Sequence, residues 1–196
     1  MRLQQVMNKL IVLSGHSGGG KTSLMRQIMK NEVVSFTTRS PRKGEIDGVD
    51  YKFISLEKFK ELKEQGKLIE QVEYSGHYYG IDQEEFENKM SLGNAFVIVD
   101  YHGMQQIKKF YSNCVTLFLY TSYDQAYKQM VERGDALEKV EQRLSTYHEE
   151  IGNRKNYDYV IRNNNSMFSV TKEIIEKILE SEHLKLDESG RINKIE

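Results

Sequence analysis

The chain has 196 residues, within the roughly 100 to 200 that one hydrophobic core serves, so a second full domain is not expected. Apolar residues at 38%, charged residues at 29% and a single proline exclude a disordered or fibrous chain. A formal net charge of -1 gives no global pull toward nucleic acid, and no run approaches the roughly 18 apolar residues of a membrane span, so a soluble cytoplasmic protein is expected.

Met7 precedes Asn8-Lys9-Leu10, so residues 1 to 6 are an alternative start or a tail. Leu10 to Leu13 reads as a buried strand, and Gly15-His16-Ser17-Gly18-Gly19-Gly20-Lys21-Thr22 follows it, satisfying G-x-x-x-x-G-K-[ST]. A helical period, Leu24 and Ile28 with Met25 and Met29, opens directly behind. Strand before and helix after are the contexts a phosphate-binding loop requires. Glycines let consecutive N–H groups converge on phosphate oxygens, Lys21 neutralises the β and γ phosphates, and the Thr22 hydroxyl can ligate Mg²⁺. His16 has no partner acid or thiol in the loop and reads as a packing residue, not a metal ligand.

Residues 35 to 92 break the strand–helix alternation. Val34 to Phe53 gathers hydroxyls, Arg39, Arg42, Lys43 and Tyr51 around Pro41, a set of cations suited to a dianionic phosphate. A helix from Leu56 to Gln65 is stopped by Gly66, and Asp82 with Glu85 three residues on opens another. An inserted, partly β subdomain is expected. Phe96 to Val99 is the next strand; Asp100 at its end stands where an acid orders Mg²⁺ or its waters, and His102 reads as packing. Val115 to Tyr120 follows Cys114, which reads as a buried, inert thiol in a reducing compartment. Residues 123 to 155 are charged and helical, with Leu137, Val140, Leu144 and Tyr147 as one stripe and arginines beside it, the pattern of a lid. Tyr159 to Ile161 gives a last strand, Ile174, Ile175, Ile178 and Leu179 a closing helix, and residues 181 to 196 a polar tail expected to fray. The whole is an α/β layered fold with a parallel sheet.

From Ser35 to Phe53 the chain fills every fixed position of Ser-x-Thr-Thr-Arg-x-Pro-Arg-x-Gly-Glu-x-x-Gly-x-x-Tyr-x-Phe, and in this it resembles the guanylate kinase family. The resemblance continues at Leu68-Ile69-Glu70, Gly76-His77-Tyr78-Tyr79-Gly80, Asp100-Tyr101-His102-Gly103, Arg133-Gly134, Arg143-Leu144 and Tyr157 to Asn163, covering about residues 9 to 180. It implies a P-loop NTPase core (7–34, 93–125 and 156–180), an inserted α+β monophosphate-binding subdomain (35–92) and a helical lid (126–155). It implies ATP bound by Gly15, His16, Ser17, Gly18, Gly19, Gly20, Lys21 and Thr22 with Asn163 close to the adenine, and Mg²⁺ arriving with ATP at Thr22. Ser35, Arg39, Arg42, Tyr51 and Tyr79 would hold the phosphate of GMP, Glu70 would read guanine, and Asp100 would serve near the acceptor. Lys21, Arg39, Arg133 and Arg143 would carry catalysis. ATP and GMP would be the partners, with neither nucleic acid nor membrane; oligomeric state is not legible.

Three positions depart from the family pattern. Ile81 stands where threonine or serine is usual, Ile98 where an acid is usual, and Gln129 where an arginine is usual. These leave open a kinase of the same family acting on a sugar phosphate or another monophosphate. A non-catalytic binding module of the same fold is the other alternative.

Overall fold

The computed structural model describes residues 8–74, 76–163 and 168–184; the expected tail at 1–6 and most of that at 181–196 lie outside them. The elements in chain order are β1 (Leu10–Ser14), α1 (Lys21–Ile28), β2 (Phe36–Thr37), β3 (Lys52–Phe53), α2 (Leu56–Glu64), β4 (Leu68–Tyr74), β5 (His77–Asp82), α3 (Gln83–Leu92), β6 (Ala95–Ile98), α4 (Tyr101–Phe110), β7 (Cys114–Tyr120), α5 (Tyr123–Glu132), α6 (Leu137–Leu144), α7 (Tyr147–Gly152), a 3₁₀ turn (Asn153–Asn156), β8 (Tyr159–Arg162) and α8 (Phe168–Ser181).

The main sheet runs β6-β1-β7-β8, all parallel, with Leu10 opposite Ala95 on one side and Cys114 on the other. Side chains alternate across a strand, so β1 feeds both faces. Ile11 and Leu13 join α1 and α8 in one cluster, while Leu10 and Val12 join Phe86, Met90, Met104 and Ile107 from α3 and α4 in the other. Burial on both faces is what makes these strands nearly continuous apolar runs. A second sheet, β3-β2-β5-β4, lies within residues 36 to 82; β2 pairs parallel with β3, and the remaining pairs are antiparallel.

Side-chain caps set the helix starts: Ser55 accepts from the N–H of Lys58, Asp82 from Glu85, Asp100 from Gly103 and Ser122 from Gln125. α5 and α6 close a small satellite cluster of Ala126, Met130, Val140 and Leu144, with Tyr147 packed against it.

Several expectations are corrected. Leu137, the first residue of α6, lies outside that cluster and is 56% exposed. In α8 the buried row is Thr171, Ile175 and Leu179 at four-residue spacing, which turns Ile174 toward solvent. Leu184 is buried in the cluster of Ile11, Leu13, α1 and α8 rather than part of a frayed end. His102 is exposed, and Cys114 is half-buried, its thiol pushed up by burial.

Leu117→Ala, in the middle of β7, is expected to cost about 2–5 kcal/mol. Leu137→Ala is expected to stay within about 0.5 kcal/mol. Urea unfolding of both variants is the check, and equal losses would contradict the packing described.

Candidate active site

The sheet delivers the loop from the end of β1. Gly15 (φ 140°) sits so close to β7 that a Cβ there would stand 1.9 Å from the carbonyl oxygen of Leu119. Gly20 (φ 77°) is the N-cap of α1, and its Cβ would meet Asn163 Nδ2 at 2.8 Å. Glycine is therefore required by space as well as by the left-handed backbone. Lys21 Nζ folds back onto the loop, donating to Gly15 O (2.5 Å) and His16 O (2.8 Å). Burial lowers its pKa to about 8, against the opposing pull of Glu150. His16 lies behind the loop: its Nδ1 bonds Ser17 O (2.7 Å), its Nε2 accepts from Thr121 N (2.9 Å), and burial lowers its pKa, which suits a neutral ring. Tyr147 packs its ring against it at a tilt, centroids 4.8 Å apart, and donates its own hydroxyl to Thr121 O (2.7 Å).

A cavity of about 460 Å³ joins this loop to the second sheet and to α5–α7. Gly15, Ser17 to Thr22, Ser35, Arg42, Tyr51, Glu70, Tyr79, Asp100, Arg133 and Arg143 all lie on its wall. Of the residues singled out from sequence, His16, Arg39 and Asn163 do not. Arg39, expected on the acceptor phosphate, stands behind the wall: its fork closes bidentately on Glu45 (2.9 Å twice) and its guanidinium lies over Tyr51 at 5.3 Å. Glu45 in turn accepts from the Arg42 backbone N–H at 2.7 Å. Burial raises the Glu45 pKa, but these partners outweigh it and hold the carboxyl below its usual range. Asn163, expected beside a donor base, is 1% exposed and donates to Gly19 O at 3.0 Å, bracing the loop; its Oδ1 has no partner.

Glu70 comes from β4 and is 2% exposed, with burial and then the nearby Asp100 charge pushing its pKa up to about 8. Ile81 lies opposite it in the β4–β5 register, but it belongs to the core cluster of Leu10, Val12, α3 and α4 and is absent from the cavity wall. Ile98, where an acid is usual in the family pattern, does line the cavity, as does Gln129. Among the described residues no group of three or more His, Cys, Asp or Glu is placed to hold a metal ion.

Three acids that the sequence reading passed over organise the cations. Asp135 receives Arg143 Nη1 at 3.1 Å and Arg133 through Nε (3.3 Å) and Nη2, joining both arginines. Glu45 does the same for the Arg39–Arg42 turn. Glu150, held by Thr146 Oγ1 at 2.8 Å, faces the cavity; burial raises its pKa, while Lys21 pulls it down. An acid two residues after an expected phosphate-binding arginine was the available signal for Asp135, and a fixed glutamate in the signature for Glu45. Tyr74 of β4 is also on the wall.

A family model described as "Guanylate kinase" matches residues 7–182. The guanylate kinases of Listeria monocytogenes serotype 4b and Streptococcus pneumoniae strain R6 are each 37% identical over 187 residues; these span 91% of this chain and 90% and 89% of the relatives. A solved structure, guanylate kinase from Anaplasma phagocytophilum, aligns with a TM-score of 0.70 at 27% identity, covering 92% of this chain and 89% of that one.

The two shifted groups give unliganded stability opposite pH limbs. The raised Glu70 pKa contributes stability that is complete below 4.5 and is lost as pH rises through about 8. The lowered Lys21 pKa contributes stability that is complete above 10.5 and is lost as pH falls through about 8. Glu70→Gln should therefore be more resistant to urea than the parent at pH 8, the two converging toward pH 4.5. Lys21→Met should likewise gain at pH 8, with the gap closing toward pH 10.5. Variant and parent curves that stay parallel across pH would contradict the placements of these groups.

Proposed function

The chain belongs to the guanylate kinase family and is an ATP-dependent nucleoside monophosphate kinase that converts GMP to GDP, and on that footing we propose how its residues divide the work. The observation that carries the division is the continuous cavity with a phosphate loop at one end and a buried acid, Glu70, at the other. The loop from Gly15 to Thr22 takes the ATP phosphates, with Lys21 exchanging its carbonyl partners for phosphate oxygens. Ser35, Arg42, Tyr51 and Tyr79 take the GMP phosphate, and Arg39 acts from behind by fixing Glu45, which fixes the Arg42 backbone. Glu70 accepts from guanine N1–H and N2–H₂, with Asp100 beside it.

An oxygen of the GMP phosphate attacks the γ phosphorus while the bond to the β–γ bridging oxygen breaks and ADP leaves. The acceptor phosphate is already nucleophilic at neutral pH, so the protein supplies alignment and positive charge. Arg133 and Arg143 supply that charge from the helical segment 126–155, read here as a lid, and the unit 35–92 is read as the acceptor-binding subdomain. The residues fit Mg²⁺ bound with ATP: Thr22 lines the cavity, and this ion takes few protein ligands when phosphates supply the rest. Mg²⁺ would neutralise β and γ oxygens. The working compartment is read as the cytoplasm, in keeping with a chain in which no described helix is long and apolar enough to cross a membrane.

ADP release measured against GMP, AMP, UMP and CMP tests the acceptor assignment. GMP is expected to exceed AMP by at least about 10³ in kcat/KM, because adenine leaves Glu70 facing an acceptor nitrogen. Comparable rates with AMP would sink the role given to Glu70. Asp135→Asn should lower kcat by at least about tenfold with both KM values little changed, since it loosens two groups that act in the transition state. An unchanged kcat would mean that the arginines keep their aim without this acid.

A further inference from the structure

We propose that Gly103 sets the guanine selectivity of the acceptor site, because only a residue without a side chain leaves the Glu70 carboxylate its seat. The proposal rests on the reading of Glu70 as the acid that meets the base. Gly103 lies in the first turn of α4, where glycine is among the poorest helix formers, and its φ is not in the left-handed region. Neither propensity nor backbone conformation asks for glycine there. Space does: a Cβ at this position would stand 2.7 Å from Glu70 Oε1, 3.3 Å from its Cδ and 2.9 Å from Val99 Cβ. Carbon contacts need roughly 3.5–4.0 Å.

The surroundings leave little room for retreat. One turn along α4, the Gln106 side chain accepts from Gln71 N at 3.1 Å and donates to Gln71 O at 3.0 Å, tying the helix to β4 at the residue next to Glu70. The helix start is fixed by Asp100, whose carboxylate accepts the N–H of Gly103 itself at 2.8 Å. On the far flank of β4, the residue opposite Glu70 is Ile81, 1% exposed in the core. With helix and strand tied, the flexible end of the contact is the Glu70 side chain, and its free direction is into the cavity. A methyl group at position 103 therefore moves the carboxylate into the volume where the base must lie. Gly103 is in this sense a positioning residue: it holds one carboxylate by its N–H and admits the other by its missing side chain.

The test is a double-variant cycle with kcat and KM for GMP and AMP, and KM for ATP, in the parent, Gly103→Ala, Glu70→Asp and the double variant. Aspartate is one methylene shorter and withdraws its carboxylate from the added methyl. Gly103→Ala should raise the GMP KM by at least about tenfold with ATP KM unmoved, and in the Glu70→Asp background the same change should shift it by less than about threefold. Equal losses in both backgrounds would trace the effect to Val99 or the helix and overturn the proposal. Glu70→Asp leaving the GMP-over-AMP ratio unmoved would instead remove the reading of Glu70 on which it stands. If Gly103→Ala does not fold, thermal melting of the double variant decides: a folded double variant supports the seat, and an unfolded one overturns it.

Discussion

Five cationic side chains, Lys21, Arg26, Arg42, Arg133 and Arg143, face one cavity of about 460 Å³, and their mutual repulsion is the constraint around which the rest of the site is arranged. Each has an oxygen partner that does not depend on substrate. Lys21 lies on two loop carbonyls, Arg133 and Arg143 share Asp135, and Arg42 has the Glu45 carboxylate 3.7 Å from its guanidinium. These partners thus let a surface crowded with cations fold without an outside anion. Partners of this kind act through orientation as much as through net attraction, since removing one leaves a partly buried charge without compensation.

The scaffold follows from where those cations must stand. Parallel strands buried on both faces place the loop at the end of β1, and the second sheet carries Tyr79 and Glu70, with Arg42 in its β2–β3 loop, on the wall of the same cavity. Residues 35–92 are anchored to the main sheet by Ile81, Phe86 and Met90, which share a core cluster with Leu10 and Val12, and Arg26 of α1 adds ion pairs to Glu32 at 2.6 Å and to Asp50 at 2.6 Å. These groups are partly exposed, and such pairs contribute about 1 kcal/mol or less.

The loop was legible because its requirements are local: backbone N–H groups can converge only where glycines tolerate left-handed geometry, and Gly15 has β7 against its Cα. The four main strands were legible for the same reason, since burial on both faces leaves little choice but apolar residues. What could not be read was whether a polar residue faces the cavity or stands behind its wall. Arg39 and Arg42 are three residues apart and alike in type, yet one is turned onto Glu45 and the other outward. Asn163 and His16 were placed beside the loop by sequence and behind it by packing. Asp135 was missed because an acid beside arginines looks the same on a solvated helix as in a clamp. Leu137 and Ile174 were overcalled because helical period gives a face but not where the neighbouring helix ends.

The opposed shifts of Lys21 and Glu70 also make substrate binding a matter of protons. With a pKa near 8 in the unliganded site, Lys21 is left partly deprotonated at mildly alkaline pH, and a phosphate chain beside it draws a proton in. Glu70, also near 8, is largely neutral at physiological pH, and in the proposed role it must lose its proton before it can accept from two guanine N–H groups. Under the proposed roles, ATP and GMP load the same cavity with opposite proton exchange, one taking up and the other releasing. The two demands match only near pH 8, where each group is half protonated; at physiological pH the release at Glu70 exceeds the uptake at Lys21.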